Sequence, residues 1–187
     1  MGQSLIFPGQ GSQAVGMGQA LARSYDEAKQ VFAAVDDALN QHLSALMWDG
    51  PEDELTLTEN AQPALMAVSM AVVRVLEARG LDIVSQASYL AGHSLGEYAA
   101  LTAGGAIELQ DTARLLKLRG QAMQRAVPVG VGAMAALLGL EFDAVVEIAA
   151  QATQGDEICG AANDNANGQV VISGHAVAVA RAIDLAK

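Results

Sequence analysis

The sequence predicts an α/β fold in two parts, and three observations indicate it. Short apolar strands alternate with helical patterns along most of the chain. The turn sequence Gly92–Gly96 lies between a predicted strand and a predicted helix. Hydrophobic residues make up 52% of the chain and charged residues 17%, which is enough apolar material for a sizeable core. We expect a larger part at residues 1–129 and a smaller one at residues 130–187.

The larger part begins with a predicted strand at Ser4–Phe7, which a glycine-rich turn at Phe7–Gln13 ends. The segment Ala61–Ala78 is apolar on nearly every side, so it predicts a buried helix with Pro63 in its first turn. The other predicted elements are a helical stretch at about Met17–Asn40 broken near Ser24–Tyr25, a helix near His42–Met47, a loop at Trp48–Glu52, a strand at Ser88–Gly92, and helices at Leu95–Ala103 and Glu108–Val127.

The smaller part follows a predicted boundary at Pro128–Gly132 and has the order β-α-β-β-α. This order is one strand short of a ferredoxin-like unit. Its predicted elements are a strand at Ala133–Leu138, a helix at Phe142–Ala152, strands at Glu157–Ala162 and Gln169–Ser173, and a helix from about Ala176.

Charge and composition exclude several classes of protein. The formal net charge is −11 and the ten Lys and Arg residues are scattered, so we predict no nucleic-acid or anionic-membrane binding. No apolar run has the roughly 18 residues of a membrane span, and the N-terminus does not resemble a signal peptide. The single cysteine, Cys159, excludes an internal disulfide and predicts a small buried hydrophobe in a cytoplasmic protein. We predict no metal site.

The sequence Gly92-His93-Ser94-Leu95-Gly96 matches the nucleophile-elbow pattern G-x-S-x-G. In such a turn the glycines allow close backbone approach, and the helix that follows directs N–H groups at an oxyanion. Ser94 is therefore a candidate nucleophile, although glycine- and serine-containing turns also end many strands by chance. None of the three histidines, His42, His93 and His175, is a convincing base for it.

One arginine, Arg119, lies on the apolar side of the helix predicted at Glu108–Val127, at about 100° per residue. Its neighbours on that side are Thr112, Leu115, Leu116, Met123 and Ala126. The opposite, polar side carries Gln110, Arg114, Lys117, Gln121, Gln124 and Arg125. Because arginine keeps its charge when buried, Arg119 either forms a structural ion pair or binds an anionic ligand.

Six segments of the chain together resemble the malonyl-CoA:acyl-carrier-protein transacylases of bacterial fatty-acid synthesis, in the order and spacing of that family. They are FPGQGSQAVGMG (7–18), TENAQPAL (58–65), AGHSLGEYAAL (91–101), the Arg119-Gly120 pair, GAMAALLGL (132–140) and NGQVVISG (167–174). GQGSQ together with GHSLGEY is highly specific for the family. The resemblance covers the whole chain and implies an α/β-hydrolase-like large domain with a ferredoxin-like small domain, both incomplete here.

The resemblance also implies a reaction and the residues that carry it. Ser94 would take malonyl from coenzyme A and pass it to the phosphopantetheine thiol of acyl carrier protein, so the coenzyme A thioester is a substrate and no cofactor is expected. Gln10 and the backbone N–H of Leu95 correspond to the family's oxyanion hole. Arg119 corresponds to the residue that pairs with the malonyl carboxylate. The remaining substrate-binding positions are Gln62, near the serine, and Asn163 and Asn165, on the small domain.

The chain departs from the family pattern at its end, because the family's catalytic histidine and later strands have no counterpart in residues 1–187. We therefore expect that these residues alone are not an active enzyme and that further polypeptide supplies the histidine. Two other classes remain open. A serine esterase of the α/β-hydrolase type would use a different oxyanion loop, and an inactive interaction module would keep the fold without the reaction.

Overall fold

The computed structural model describes residues 3–128 and 130–187 and has a mixed α/β architecture. Its contacts divide the chain into two compact units, one ending at Gln124 and the other running from Arg125 to Lys187. Each unit has its own hydrophobic core. The assignment of residues 1–129 and 130–187 as an acyltransferase domain and a ferredoxin-like domain stays a prediction.

In the first unit, strands β1 (Gln3–Phe7) and β2 (Ala87–Gly92) pair in parallel, with Phe7 opposite Gly92. The two strands therefore end side by side, as the predicted strands at Ser4–Phe7 and Ser88–Gly92 require. The helices are α1 (Gln19–Ser24), α2 (Asp26–Leu39), α3 (Leu43–Asp49), α4 (Glu52–Thr56), α5 (Thr58–Ala78), α6 (Leu95–Ala103) and α7 (Leu109–Ala126).

Helix α5 forms the centre of this unit and packs against α2 and α6. By length and composition it could cross a membrane, but 61% of its most apolar stretch is buried inside the protein, as in the core helix of a globular domain. The helix begins at Thr58, three residues before the predicted start, because the Leu57 carbonyl accepts hydrogen bonds from the N–H groups of Asn60 and Ala61. Pro63 therefore lies inside the helix, and its predicted place in the first turn is wrong.

Helix α4 was not predicted, and only its first residue, Glu52, lies in the loop predicted at Trp48–Glu52. It begins directly after Pro51, and its first turn carries three acidic residues, which suits the positive end of a helix. Its apolar residue Leu55 is fully buried in the core of the first unit. A single turn of this kind leaves no periodic signal in the sequence.

The second unit is a three-stranded antiparallel sheet in the order β3-β5-β4, with helices α8 and α9 packed against it. Its elements are β3 (Gly132–Leu138), α8 (Phe142–Ala152), β4 (Cys159–Ala166), β5 (Gln169–His175) and α9 (Ala176–Leu185). Strand β4 begins after the predicted start at Glu157, because Glu157 instead pairs with Gln154 in a tight turn. Cys159 is buried as predicted, and burial raises the pKa of its thiol.

Candidate functional site

The elbow between β2 and α6 depends on close backbone packing at its glycines. A Cβ on Gly92 would lie 2.0 Å from the carbonyl carbon of Gly96, and a Cβ on Gly96 would lie 2.3 Å from the Phe7 carbonyl oxygen. The His93 N–H donates to that same Phe7 oxygen at 3.1 Å. The loop that follows β1 is therefore held directly against the elbow, and the pattern G-x-S-x-G has a structural reason here.

Ser94 lies at the start of α6 with φ 56° and ψ −112°, a strained conformation for a residue with a Cβ. Its side chain is exposed at the turn. The N–H groups of Gly96 and Glu97 donate to the carbonyls of His93 and Ser94, and neither of these bonds uses the N–H of Leu95. Leu95 is the first residue of α6, where a backbone N–H has no acceptor within the helix and is free to donate to an oxyanion. The predicted role of Leu95 stays a prediction.

Arg119 reaches the nucleophile candidate from α7. Its Nη2 donates to Ser94 Oγ at 3.0 Å, and its Nη1 donates to Gln62 Oε1 at 2.5 Å. The guanidinium carbon lies 5.8 Å from the centre of the Tyr98 ring. The residue is partly buried, and its guanidinium contacts the exposed Ser94.

The structural ion pair that could have explained Arg119 is absent from the described residues 3–128 and 130–187. The ion pairs there are made by Arg74, Arg114, Lys117, Arg181 and Lys187. Arg119 thus directs a positive charge at a serine hydroxyl and donates to a neutral amide. This arrangement leaves the guanidinium able to bind an anion.

The faces of α7 differ from those that the helical wheel predicted. The buried stripe consists of Thr112, Ala113, Leu116 and Gly120. Leu115 and Met123, which were expected beside Arg119 on the buried side, are 43% and 47% exposed. Arg119 and Lys117 therefore flank the buried stripe, one on each side, and neither lies at the centre of a face.

Lys117 was predicted on the solvated face with Arg114 and Arg125, and this prediction is wrong. Its side chain is only 20% exposed and forms an ion pair with Glu59 at 3.2 Å. Its Nζ also donates to Asn60 Oδ1 at 2.8 Å. Lys117 is a structural tie between α7 and the start of α5. It is not part of an exposed basic cluster.

Gly120 brings these two helices together. A Cβ at this position would lie 2.4 Å from Glu59 Cα and 2.7 Å from the Thr58 carbonyl oxygen. Both are backbone atoms that cannot turn aside. The absence of a side chain at Gly120 is therefore what lets Arg119 reach Gln62.

We expect Gly120→Ala to separate α7 from α5 and to lower the free energy of unfolding by about 2 kcal/mol. The matched control is Gly160→Ala, since a Cβ on Gly160 would meet no atom within 4 Å. Chemical denaturation of both variants measures the difference. A Gly120→Ala protein as stable as the Gly160→Ala control would contradict the close approach.

Gln62 connects the arginine to the loop after β1. Only 1% of the residue is exposed. Its Nε2 donates to Thr58 Oγ1 at 2.8 Å and contacts the Met123 sulfur at 3.4 Å. Thr58 Oγ1 in turn donates to Gln10 Oε1 at 2.9 Å. The structure thus joins four of the residues near the elbow by hydrogen bonds: Gln10, Gln62, Ser94 and Arg119 belong to one network, and Thr58 was not predicted as a member.

Comparison with known proteins identifies the family. The family model described as "Acyl transferase domain" matches residues 4–187. The chain belongs to the acyl transferase domain family. This acyl transferase domain is 44% identical over 184 residues to the malonyl CoA-acyl carrier protein transacylase of Bacillus subtilis, an alignment that covers 98% of the chain and 57% of the relative.

Solved structures agree with the sequence relatives. The acyl-carrier-protein S-malonyltransferase of Bartonella henselae is 55% identical with a TM-score of 0.93, over 100% of this chain and 59% of that one. A malonyl-transacylase in complex with its type II PKS acyl-carrier protein is 43% identical with a TM-score of 0.91, again over 100% and 59%. These matches confirm the α/β fold class. The chain spans somewhat more than half the length of the relatives that it matches.

The other predicted residues of this acyl transferase domain are described each within its own unit. Asn163 and Asn165 are exposed on β4 in the second unit, and their role in substrate binding stays a prediction. His42 is exposed at the start of α3. His175 ends β5, and its Nδ1 accepts the N–H of Ile158 at 2.9 Å. Among the described residues, no group of three or more His, Cys, Asp and Glu could hold a metal ion.

Proposed function

We propose that the protein containing this chain transfers malonyl from coenzyme A to the phosphopantetheine thiol of acyl carrier protein, through an ester on Ser94. The observation that carries this proposal is the position of Arg119, whose Nη2 lies 3.0 Å from Ser94 Oγ and which has no carboxylate partner within residues 3–128 and 130–187. A malonyl group on Ser94 would place its free carboxylate within reach of that guanidinium. The transfer would serve fatty-acid biosynthesis in the cytoplasm.

The first half-reaction forms the ester. Ser94 Oγ attacks the thioester carbonyl while a general base takes its proton, and the family resemblance assigns that base to a histidine. The Leu95 N–H and the Gln10 loop stabilise the oxyanion of the tetrahedral intermediate. The carbon–sulfur bond then breaks, and coenzyme A leaves as the thiol once it has received the proton.

The second half-reaction repeats these steps with a new thiol. The carrier's phosphopantetheine sulfur attacks the ester carbonyl, the carbon–oxygen bond breaks, and Ser94 regains its proton. Arg119 holds the malonyl carboxylate throughout, so the acyl carbon keeps its place while one thiol replaces another. The relative solved in complex with an acyl-carrier protein supports the choice of acceptor. In this proposal the coenzyme A thioester is the acyl donor, the carrier's thiol is the acceptor, and no cofactor takes part.

Acylation of the natural full-length protein tests the proposal. We expect malonyl-CoA to release one equivalent of coenzyme A rapidly and to leave one malonyl group per protein, which peptide mapping should locate on Ser94. Added holo acyl carrier protein should then remove the group as malonyl-carrier. Continuous hydrolysis without transfer would instead support the esterase alternative, and a lack of any adduct would support the interaction module.

A further inference from the structure

The hydroxyl of Thr58 joins the two halves of the candidate site. On one side it accepts a hydrogen bond from Gln62 Nε2 at 2.8 Å, and Gln62 Oε1 accepts from Arg119. On the other side it donates to Gln10 Oε1 at 2.9 Å. One hydroxyl thus lies between the residue proposed for the malonyl carboxylate and the loop proposed for the oxyanion.

The directions of these hydrogen bonds follow from the chemistry of the groups. A guanidinium can only donate, so Gln62 must present its carbonyl oxygen to Arg119 and its NH₂ group to Thr58. The Thr58 oxygen is then an acceptor from Gln62, and its proton is available to Gln10 Oε1. The guanidinium therefore fixes the amide orientation of Gln62, and Gln10 has its oxygen turned toward the Thr58 hydroxyl.

Thr58 is also well placed to be the rigid member of this group. It is the first residue of α5, and Gly120 packs so closely on it that an added Cβ would lie 2.7 Å from the Thr58 carbonyl oxygen. Gln10, in contrast, lies in an exposed turn next to Gly11, which has φ 128°. The Thr58 side chain, on a packed helix, therefore holds the Gln10 side chain, on an exposed loop. The hydrogen bond from α5 restricts the positions that Gln10 can adopt.

We propose that Thr58 is a positioning residue that fixes the Gln10 loop relative to the Gln62–Arg119 pair. The oxyanion site at Gln10 and the carboxylate site at Arg119 would then be correctly placed at the same time. This role rests on the proposed function, because it assumes that Arg119 binds the malonyl carboxylate. In this proposal Thr58 acts through Gln10 and Gln62 and does not itself contact the thioester or the thiol. Its removal should therefore impair the acylation rate of Ser94 more than it impairs the fold.

The test compares Thr58→Val, which keeps the shape and removes the hydroxyl, with Thr58→Ser, which restores the hydroxyl. Because Thr58 is half-buried and Gln10 is exposed, we expect a moderate loss for Thr58→Val, about tenfold in the rate of acylation by malonyl-CoA and about threefold with acetyl-CoA. Thr58→Ser should recover most of both losses. The matched control is Thr56→Val at an exposed threonine in the adjoining helix, which should leave both rates and the melting temperature unchanged.

Two further measurements separate a positioning role from a structural one and from the proposed function. In the Arg119→Ala background, Thr58→Val should lower the rate of acylation by malonyl-CoA only about threefold, the same factor as with acetyl-CoA. The contact between Arg119 and the malonyl carboxylate is already lost in that background. A neutral fluorophosphonate that labels Ser94 depends on the oxyanion site but carries no malonyl group. Its rate of labelling Ser94 should also fall about threefold in Thr58→Val.

The outcomes are distinguishable. Wild-type rates for Thr58→Val, or a Thr58→Ser variant as slow as Thr58→Val, would overturn the positioning role. A tenfold loss that persists in full in the Arg119→Ala background would also overturn it. A wild-type protein that fluorophosphonate labels but malonyl-CoA does not acylate would refute the proposed function, while the labelling rates of the variants would still decide the role of Thr58.

Discussion

Replacing Ser94 with glycine should abolish acyl transfer and at the same time stabilise the fold. Without the hydroxyl there is no ester, so we expect the transfer rate to fall about a thousandfold or more. The backbone at this position has φ 56° and ψ −112°, which costs about 1–3 kcal/mol for a residue with a Cβ. Glycine removes that strain but adds unfolded-state entropy of about 0.5–1 kcal/mol. The net gain should be about 1 kcal/mol.

The matched control for this prediction is Ser94→Ala, which also lacks the hydroxyl but keeps the Cβ and its strain. Both variants should be inactive with malonyl-CoA and acyl carrier protein, and only Ser94→Gly should melt higher, by about 1–3 °C. Calorimetry and an acyl-transfer assay on the same preparations measure the two effects. Equal melting temperatures for the two variants would contradict the strain, and substantial residual transfer in either would contradict the nucleophile.

Local patterns in the sequence were sufficient to predict the elbow. Gly92 and Gly96 both belong to the pattern G-x-S-x-G. A Cβ at either position would lie only 2.0 or 2.3 Å from a backbone atom, so both must be glycine. Helix α6 was predicted at its observed bounds, because a strand, a turn and a helix follow one another within a few residues. Such features depend on neighbours in sequence, so a single sequence contains the necessary information.

The faces of α7 could not be predicted in the same way. Hydrophobicity placed its buried side around Leu115 and Met123, whereas the structure buries the small residue Gly120 against the start of α5. A glycine carries no hydrophobic signal, and only the contact with the other helix gives it a role. Lys117 was misplaced for the same reason, since its partners Glu59 and Asn60 lie far away in the sequence.

The network around Thr58 was missed although its residues lie within two quoted motifs. TENAQPAL contains both Thr58 and Gln62, spaced four residues apart on one side of α5, which is the spacing of helical neighbours. The polar start of an otherwise apolar helix was an available signal. The predicted helix begins only at Ala61, so the hydrogen bond from Thr58 to Gln10, 48 residues away, had no counterpart in the prediction.

Removing the guanidinium of Arg119 should change which acyl group the protein accepts. We expect Arg119→Ala to lower the kcat/KM for malonyl transfer by about a hundredfold, or about 3 kcal/mol, because the malonyl carboxylate loses a charged, two-pronged partner. The partial exposure of Arg119 places this effect below that of a fully desolvated pair. Acetyl transfer should fall less than tenfold or improve, since a neutral acyl group needs no counter-charge.

Two variants show whether charge or geometry is responsible for the effect of Arg119. Arg119→Lys keeps the positive charge, but its single ammonium group lacks the planar guanidinium that can bind Gln62 and a carboxylate together. It should therefore restore only part of the malonyl-transfer rate that Arg119→Ala loses. Arg114→Ala, on the same helix, removes an exposed arginine that pairs with Asp111 and should leave both rates unchanged. Steady-state kinetics with malonyl-CoA and acetyl-CoA compare the three proteins. If malonyl and acetyl transfer fell by the same factor in Arg119→Ala, Arg119 would be a structural residue, and its hydrogen bond to Ser94 Oγ would serve only to hold the elbow in place.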